Sequence, residues 1–213
     1  MAFYDRADAG WQLAQALASL KGREDVVVLA IPRGGVAVGC EVARGLHAPL
    51  DVCLAHKIGA PENPEFAIGS VDSLGELVLD YESIAALGIS DGYIAGEVER
   101  QRVELARRLA QYRENLPEVD VADKTVVVVD DGLATGATAL AALKSLGKAH
   151  PAILILAAPV ASAQAIARVS GEAGEIVVLY APSSFGAVGQ FYENFGQVSD
   201  EEVLDLMRRA RSQ

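Results

Sequence analysis

Two adjacent carboxylates, Asp130 and Asp131, stand directly after four consecutive valines, Val126 to Val129, and directly before a small-residue loop ending at Thr138. The whole stretch, Thr125 to Thr138, reads TVVVVDDGLATGAT. Carboxylates in such a place can hold sugar hydroxyls, or a metal shared with them. The loop that follows, Gly132, Leu133, Ala134, Thr135, Gly136, Ala137 and Thr138, offers backbone N–H groups and two threonine hydroxyls at a helix start. Such a nest suits an anion. Together the two halves suggest a site for a phosphorylated sugar. Each half alone has an ordinary reading: Asp-Asp-Gly is a common turn, and Thr-Gly-Ala-Thr a common capped helix start. Other phosphate motifs fit worse. A P-loop needs Lys where Ala137 stands, and Gly34, Gly35 and Gly39 lack the G-x-G-x-x-G spacing. Pro182 before Ser183 also rules out a G-x-S-x-G elbow.

The elements that must position these groups follow from apolar periodicity. The valine run is short and β-branched, as expected of a strand buried on both faces. Similar runs predict strands over Val26–Ile31, Leu50–His56, 152–158 and 175–180, with the valine strand at 125–130. Helical spacing predicts helices over Ala9–Leu20 (capped by Asp8, with Trp11, Leu13, Leu17 and Leu20 on one face), Gly35–Leu46, 137–148 and 162–169. A long charged helix over Asp91–Glu114 carries a stripe of Ile94, Val98, Leu105, Leu109 and Tyr112, which suits either core packing or an interface. Between these lie a loop over Lys57–Pro64 and a hairpin in which Phe66–Val71 and Glu76–Leu79 flank Asp72–Gly75. Alternating strand and helix implies an α/β fold: three layers around a mostly parallel, doubly wound sheet.

Ligands of open α/β sheets bind beyond the C-terminal ends of the strands. On that rim the sequence places Pro32-Arg33-Gly34-Gly35, His56-Lys57, the acidic pair with its loop, and Tyr180 to Gly186. A net charge of −11 over 213 residues argues against nucleic acid as a partner, local groups such as Arg107, Arg108 and Arg113 notwithstanding. No apolar run approaches a membrane span, and the N-terminus lacks a signal pattern, so a cytoplasmic, non-membrane protein is expected. Cys40 and Cys53 read as buried small hydrophobes. His47, His56 and His150 have no ligand spacing, which disfavours a dedicated transition-metal site.

The strand, acidic pair and Thr-Gly-Ala-Thr loop resemble the phosphoribosyl-pyrophosphate signature of the type I phosphoribosyltransferases, and the likeness covers most of the chain. One departure is Gly132, where the family usually carries a bulkier aliphatic residue; a looser turn is expected. The resemblance implies that Asp130 and Asp131 bind the ribose hydroxyls and that the loop to Thr138 binds the 5-phosphate. It also implies that Arg33, Gly34 and Gly35 form the pyrophosphate loop, in which a strained peptide is common, with Lys57 on the same group. A glycine turn and a solvated lysine are the plain alternatives. Mg²⁺ is the implied cofactor, carried mainly by the substrate with no dedicated protein cage. The chain is expected to form a single domain over 1–213, with a hood insertion at about 57–90 that Gly59, Gly69 and Gly75 would let move, and a C-terminal hood at about 181–213.

The implied partners are phosphoribosyl pyrophosphate and a small nitrogenous acceptor, in a homodimer; no certain general base stands out, though Asp131 and Glu65 are candidates. Phe185 and Tyr192 are candidates for the acceptor pocket, with Phe195, Phe3 and Tyr4 nearby; chain-end aromatics also serve as core anchors. Two other functions fit the same residues: a sensor that binds the sugar pyrophosphate without reacting it, and a metal-dependent phosphate-ester hydrolase.

Overall fold

The computed structural model describes residues 2–72, 77–114 and 118–211. In chain order the strands are β1 (Val26–Ala30), β2 (Leu50–Val52), β3 (Ala55–Ala60), β4 (Asn63–Asp72), β5 (Leu77–Leu79), β6 (Thr125–Val129), β7 (Ile153–Val160) and β8 (Glu175–Tyr180). The helices are α1 (Arg6–Ala16), α2 (Gly34–Leu46), α3 (Tyr81–Ala86), α4 (Asp91–Arg113), α5 (Ala137–Lys148), α6 (Ala163–Val169) and α7 (Asp200–Arg211). Five strands form a parallel sheet in the order β2-β1-β6-β7-β8, and β3-β4-β5 form a small antiparallel sheet.

The valine run is buried on both faces, as its composition predicts. Val127 and Val129 join Val26 and Val28 in the core beneath α1, α2, α7 and the C-terminal half of α4. Val126 and Val128 join Val27 and Leu29 beneath α5 and α6. Each fully buried valine contributes about 1.5 kcal/mol or more of transfer free energy. The stripe on α4 is core packing: Ile94 and Val98 cover the small sheet, while Leu105 and Tyr112 reach the main core. No helix among the described residues is long and apolar enough to cross a membrane. Cys40 and Cys53 are buried free thiols, and burial pushes Cys53 up to about 12.

Three expectations need correction. The first helix starts earlier, at Arg6, because Asp5 and not Asp8 is its cap. The Asp5 carboxylate accepts from the Asp8 amide at 2.8 Å, while Asp8 accepts in turn from the Tyr4 amide at 2.9 Å. The helix stops at Ala16, a 3₁₀ turn covers Ala18–Leu20, and Trp11 lies outside the apolar face, 56% exposed. The second correction concerns Leu50–His56, which is not one strand. After the Cys53 amide makes a last bond to the Ala30 carbonyl, the chain leaves the parallel sheet and enters β3. Third, Lys57–Ala60 is therefore strand and not loop, with its register shifted around Gly59. The hairpin partner β4 begins at Asn63 and pairs with β5; of the expected turn Asp72–Gly75, Asp72 ends β4, and residues 73–76 lie outside the described set. Gly69 has a packing reason, since a Cβ there would come within 2.5 Å of the Val78 carbonyl oxygen.

Two helices have no counterpart in the sequence reading, α3 and α7. The latter buries Val203 and Met207 against the main core. Arg107 and Arg108, two of the local cations, pair with Glu104, and Arg113 pairs with Asp51 and Glu118.

Candidate active site

Strand order reverses between β1 and β6: from β1 the sheet steps to β2 on one side, and from β6 to β7 and β8 on the other. Such a switch point opens a crevice at the strand C-termini. Here the crevice is walled by the Pro32–Gly35 turn leaving β1 and by Asp130-Asp131 leaving β6. The Pro32–Arg33 peptide bond is cis. Gly35 has no room for a side chain, because a Cβ would stand 2.8 Å from the Val129 carbonyl oxygen and 3.0 Å from the Asp130 Cα. Gly34 is tighter still: its Cβ would meet Asp131 Oδ2 at 1.9 Å. The two glycines let α2 begin against the acidic pair.

Both aspartates are half-buried. Asp130 Oδ1 accepts from the Asp131 amide at 2.8 Å. Burial, followed by the neighbouring Asp131 charge, pushes the Asp130 carboxyl well above its ordinary range. Asp131 Oδ2 accepts from Arg6 Nε at 2.8 Å, in a pair whose side chains are only 12% and 15% exposed. The Tyr192 hydroxyl donates to the Asp131 carbonyl oxygen at 2.6 Å. Nothing near Arg6 in sequence signals this role; an arginine one residue past a helix cap is commonplace, and its partner lies 125 positions away.

The loop after the pair divides into an anchor and an open part. Leu133 is buried in the core beneath α5; its amide donates to the Val160 carbonyl at the end of β7, and its carbonyl accepts from the amide of Ser162, the cap of α6. Ser162 Oγ donates to the Ala134 carbonyl at 2.7 Å, and Arg168 to the Thr135 carbonyl at 3.1 Å. Gly136 takes φ +71°, a left-handed conformation that suits glycine, and turns the chain into α5. Ala134, Thr135, Ala137 and Thr138 face solvent beside the first turn of α5, where the Ala137 amide donates to Thr135 Oγ1 at 3.4 Å.

Gly132 does not loosen the turn. A Cβ on it would lie 2.5 Å from Val188 Cγ1 and 3.0 Å from Val160 Cγ1. Val188, from the C-terminal region, occupies the space that a larger residue would fill. Gly132→Val should therefore cost about 1–3 kcal/mol of stability through overpacking. Combining it with Val188→Ala should recover most of that loss, measured by denaturant unfolding; no recovery would separate the two positions.

The remaining predicted residues divide. Arg33 is exposed, with Nη1 4.0 Å from Asp200 Oδ1 at the start of α7. Asp200 also accepts from the Tyr112 hydroxyl at 2.6 Å; burial first, and then this bond, push Tyr112 up to about 12. Lys57 does not end a strand of the parallel sheet. It projects from β3, opposite Ser70, into a cleft of about 840 Å³ shared with His56, Gln101, Lys144 and Thr138. The cleft thus adjoins the open part of the loop. Tyr192 is buried between Phe3 and Phe195, at ring distances of 5.4 and 5.0 Å, so it offers no open face to a planar acceptor. Phe185 packs on Phe191 at 5.2 Å. Phe195 is 37% exposed, and Tyr180, edge-on to Phe191 at 5.7 Å, is 46% exposed. The side chain of Glu65 lies outside the described set.

A sequence profile described as the phosphoribosyl transferase domain matches residues 5–191, a span containing both the turn after β1 and the acidic pair with its loop. The chain belongs to the phosphoribosyl transferase domain family. Two Mycobacterium tuberculosis proteins, provisionally named phosphoribosyl transferases, are 44% identical to it over 209 residues, covering 98% of this chain and 47% of theirs. The chain thus spans about half the length of these curated relatives. The crystal structure of TT1426 from Thermus thermophilus superposes with a TM-score of 0.86 at 46% identity, covering 98% of this chain and 99% of that one. AQ2163 from Aquifex aeolicus shares the fold at 16% identity, with a TM-score of 0.50 over 82% of this chain and 73% of its own. Within this phosphoribosyl transferase domain, the crevice at the β1/β6 switch point is the site at which the two predicted loops meet.

Proposed function

We propose that the chain is a Mg²⁺-dependent phosphoribosyltransferase, moving the 5-phosphoribosyl group of phosphoribosyl pyrophosphate to a nitrogen of a small acceptor, a nucleobase by preference. The observation that carries this reading is the meeting of the Pro32–Gly35 turn and the Asp130-Asp131 pair at one switch point, with an open Thr-Gly-Ala-Thr nest beyond. Thr135, Thr138 and the first amides of α5 take the 5-phosphate. Asp130 and Asp131 take the ribose hydroxyls, and their negative charge favours the cation that builds on the ring as the anomeric C–O bond breaks. Arg33 and the amides of Gly34 and Gly35 receive the charge appearing on the departing pyrophosphate. Catalysis of this kind is positioning and electrostatics.

The donor set suits a metal held largely by substrate. Two protein carboxylates, one of them engaged by Arg6, leave most of an octahedral shell to substrate and water oxygens. Mg²⁺ bound there would neutralise pyrophosphate charge. Residues from about 57 to 90 serve as the hood: Lys57 on β3 already borders the cleft that reaches Thr138.

Titrating the protein with phosphoribosyl pyrophosphate by calorimetry, with and without Mg²⁺, tests the reading. Expected is Mg²⁺-dependent binding with Kd of order micromolar, about −8 kcal/mol. Absence of binding in both conditions would remove the proposal. Pyrophosphate release over a panel of bases then separates the transferase from a sensor that binds without turnover.

A further inference from the structure

Arg6 belongs to no predicted part of the site, yet it lies at its centre. Its Nε donates to Asp131 Oδ2 at 2.8 Å and its Nη1 to the Gly196 carbonyl at 2.7 Å. The guanidinium carbon sits 3.9 Å from the Phe195 ring centroid, a cation–π arrangement. Phe195 in turn packs on Tyr192, whose hydroxyl holds the Asp131 carbonyl. The result is a closed circuit. Asp131 is gripped at its carboxylate by Arg6 and at its carbonyl by Tyr192, and the two gripping residues are joined through Phe195. Backbone bonds tie the same segment to the N-terminus: the Glu193 amide donates to the Phe3 carbonyl at 3.0 Å, and the Asn194 amide to the Tyr4 carbonyl at 2.8 Å.

Arg6 also lies against the turn after β1, since a Cβ on Gly34 would be 3.0 Å from its Nε. It therefore stands where the turn, the acidic pair and the C-terminal aromatics meet. A charged pair this little exposed tolerates the loss of one partner poorly, because the other is left desolvated and unpaired.

We propose that Arg6 is the positioning residue of the acidic pair, setting the Asp131 carboxylate toward the ribose site and joining it to residues 192–196 as one unit. The ligand side of this inference rests on the phosphoribosyl reading above. With Oδ2 committed to Arg6, Asp131 meets a ribose hydroxyl through Oδ1. Release of Arg6 lets the carboxylate rotate and loosens the segment bearing Phe195, so the sugar site and the aromatic wall are assembled together. A lysine at position 6 keeps the charge but cannot hold Asp131, Gly196 and the Phe195 face at once.

The full chain, with Arg6→Ala and Arg6→Lys, tests this in two ways, one of them free of ligand. Amide exchange at residues 194–197 should be at least tenfold faster in Arg6→Ala, while Val126–Val129 stay protected and show the sheet intact. Affinity for phosphoribosyl pyrophosphate with Mg²⁺ should fall at least tenfold in Arg6→Ala and be partly rescued in Arg6→Lys. Unchanged exchange overturns the proposal, as does wild-type affinity in a folded Arg6→Ala. If the wild type itself fails to bind, the phosphoribosyl reading falls, and exchange still decides the role of Arg6. If Arg6→Ala does not fold, the same readouts on Arg6→Lys decide it: wild-type values throughout overturn it.

Discussion

Gly34→Ala should reduce affinity for phosphoribosyl pyrophosphate by about 100-fold, or about 2.7 kcal/mol, while leaving the protein folded. The added methyl would stand 1.9 Å from Asp131 Oδ2 and 2.6 Å from its Cγ, far inside contact distance. Only two adjustments relieve this. The Asp131 carboxylate can swing away, breaking its bond to Arg6, or the start of α2 can retreat from the end of β6. Either one separates the turn after β1 from the acidic pair. Overpacking of this sort costs about 1–3 kcal/mol of stability, less than the usual stability of a domain, so a folded product is expected. Calorimetry of the variant beside a thermal melt checks it. A folded Gly34→Ala with wild-type affinity would show that the turn and the acidic pair do not share a ligand.

Asp130→Asn should bind at least tenfold more weakly, about 1.4 kcal/mol, and yet be more stable than the wild type above the raised folded pKa of Asp130. Asparagine keeps an Oδ1 to accept from the Asp131 amide, so the local turn survives. What it removes is a carboxyl whose folded-state pKa is raised above 3.8 by burial and by the Asp131 charge. A carboxyl shifted in that direction favours the folded state while it is protonated. The favourable contribution is complete below the unfolded value of 3.8 and is lost as pH rises through the raised folded value. Above the raised folded value the wild type bears the full cost of a buried charge beside another, and the variant does not. The melting temperature of Asp130→Asn should therefore exceed that of wild type above the raised pKa, with the gap closing as the pH falls toward 3.8. A gap that widened on acidification would reverse the sign of the shift. Stability surrendered at a binding site in this way is a common trade.

Much of the site was legible because its parts are local. A β-branched run with carboxylates at its end and a small-residue loop beyond is a contiguous pattern, and strand–loop–helix geometry follows from nearest neighbours. Hence the strand over 125–129, the helix over 137–148 and the position of Asp130 and Asp131 between them emerge from residues 125 to 148 alone. The placement of Pro32–Gly35 opposite them follows from one further rule, that ligands gather at strand C-termini where the order reverses.

Other features depend on residues distant in the chain. From Leu50 to His56 the sequence contains no breaker, so nothing local marks where the strand leaves one sheet for the other. That point is set by the end of β1, where the Ala30 carbonyl makes the last bond. Gly132 suggests slack by itself, and only Val188 and Val160 show it to be filled space. Tyr192 reads equally as a platform or an anchor until Phe3 and Phe195 are found against its ring. Arg6 is the extreme case, a helix-start residue paired across 125 positions with the second carboxylate. The sequence by itself determined which groups could hold a phosphorylated sugar, because backbone propensity and hydrophobic period act over a few residues. Only the tertiary structure decided how those groups are held and which neighbours charge them, because packing and electrostatics act through space and take no account of order along the chain.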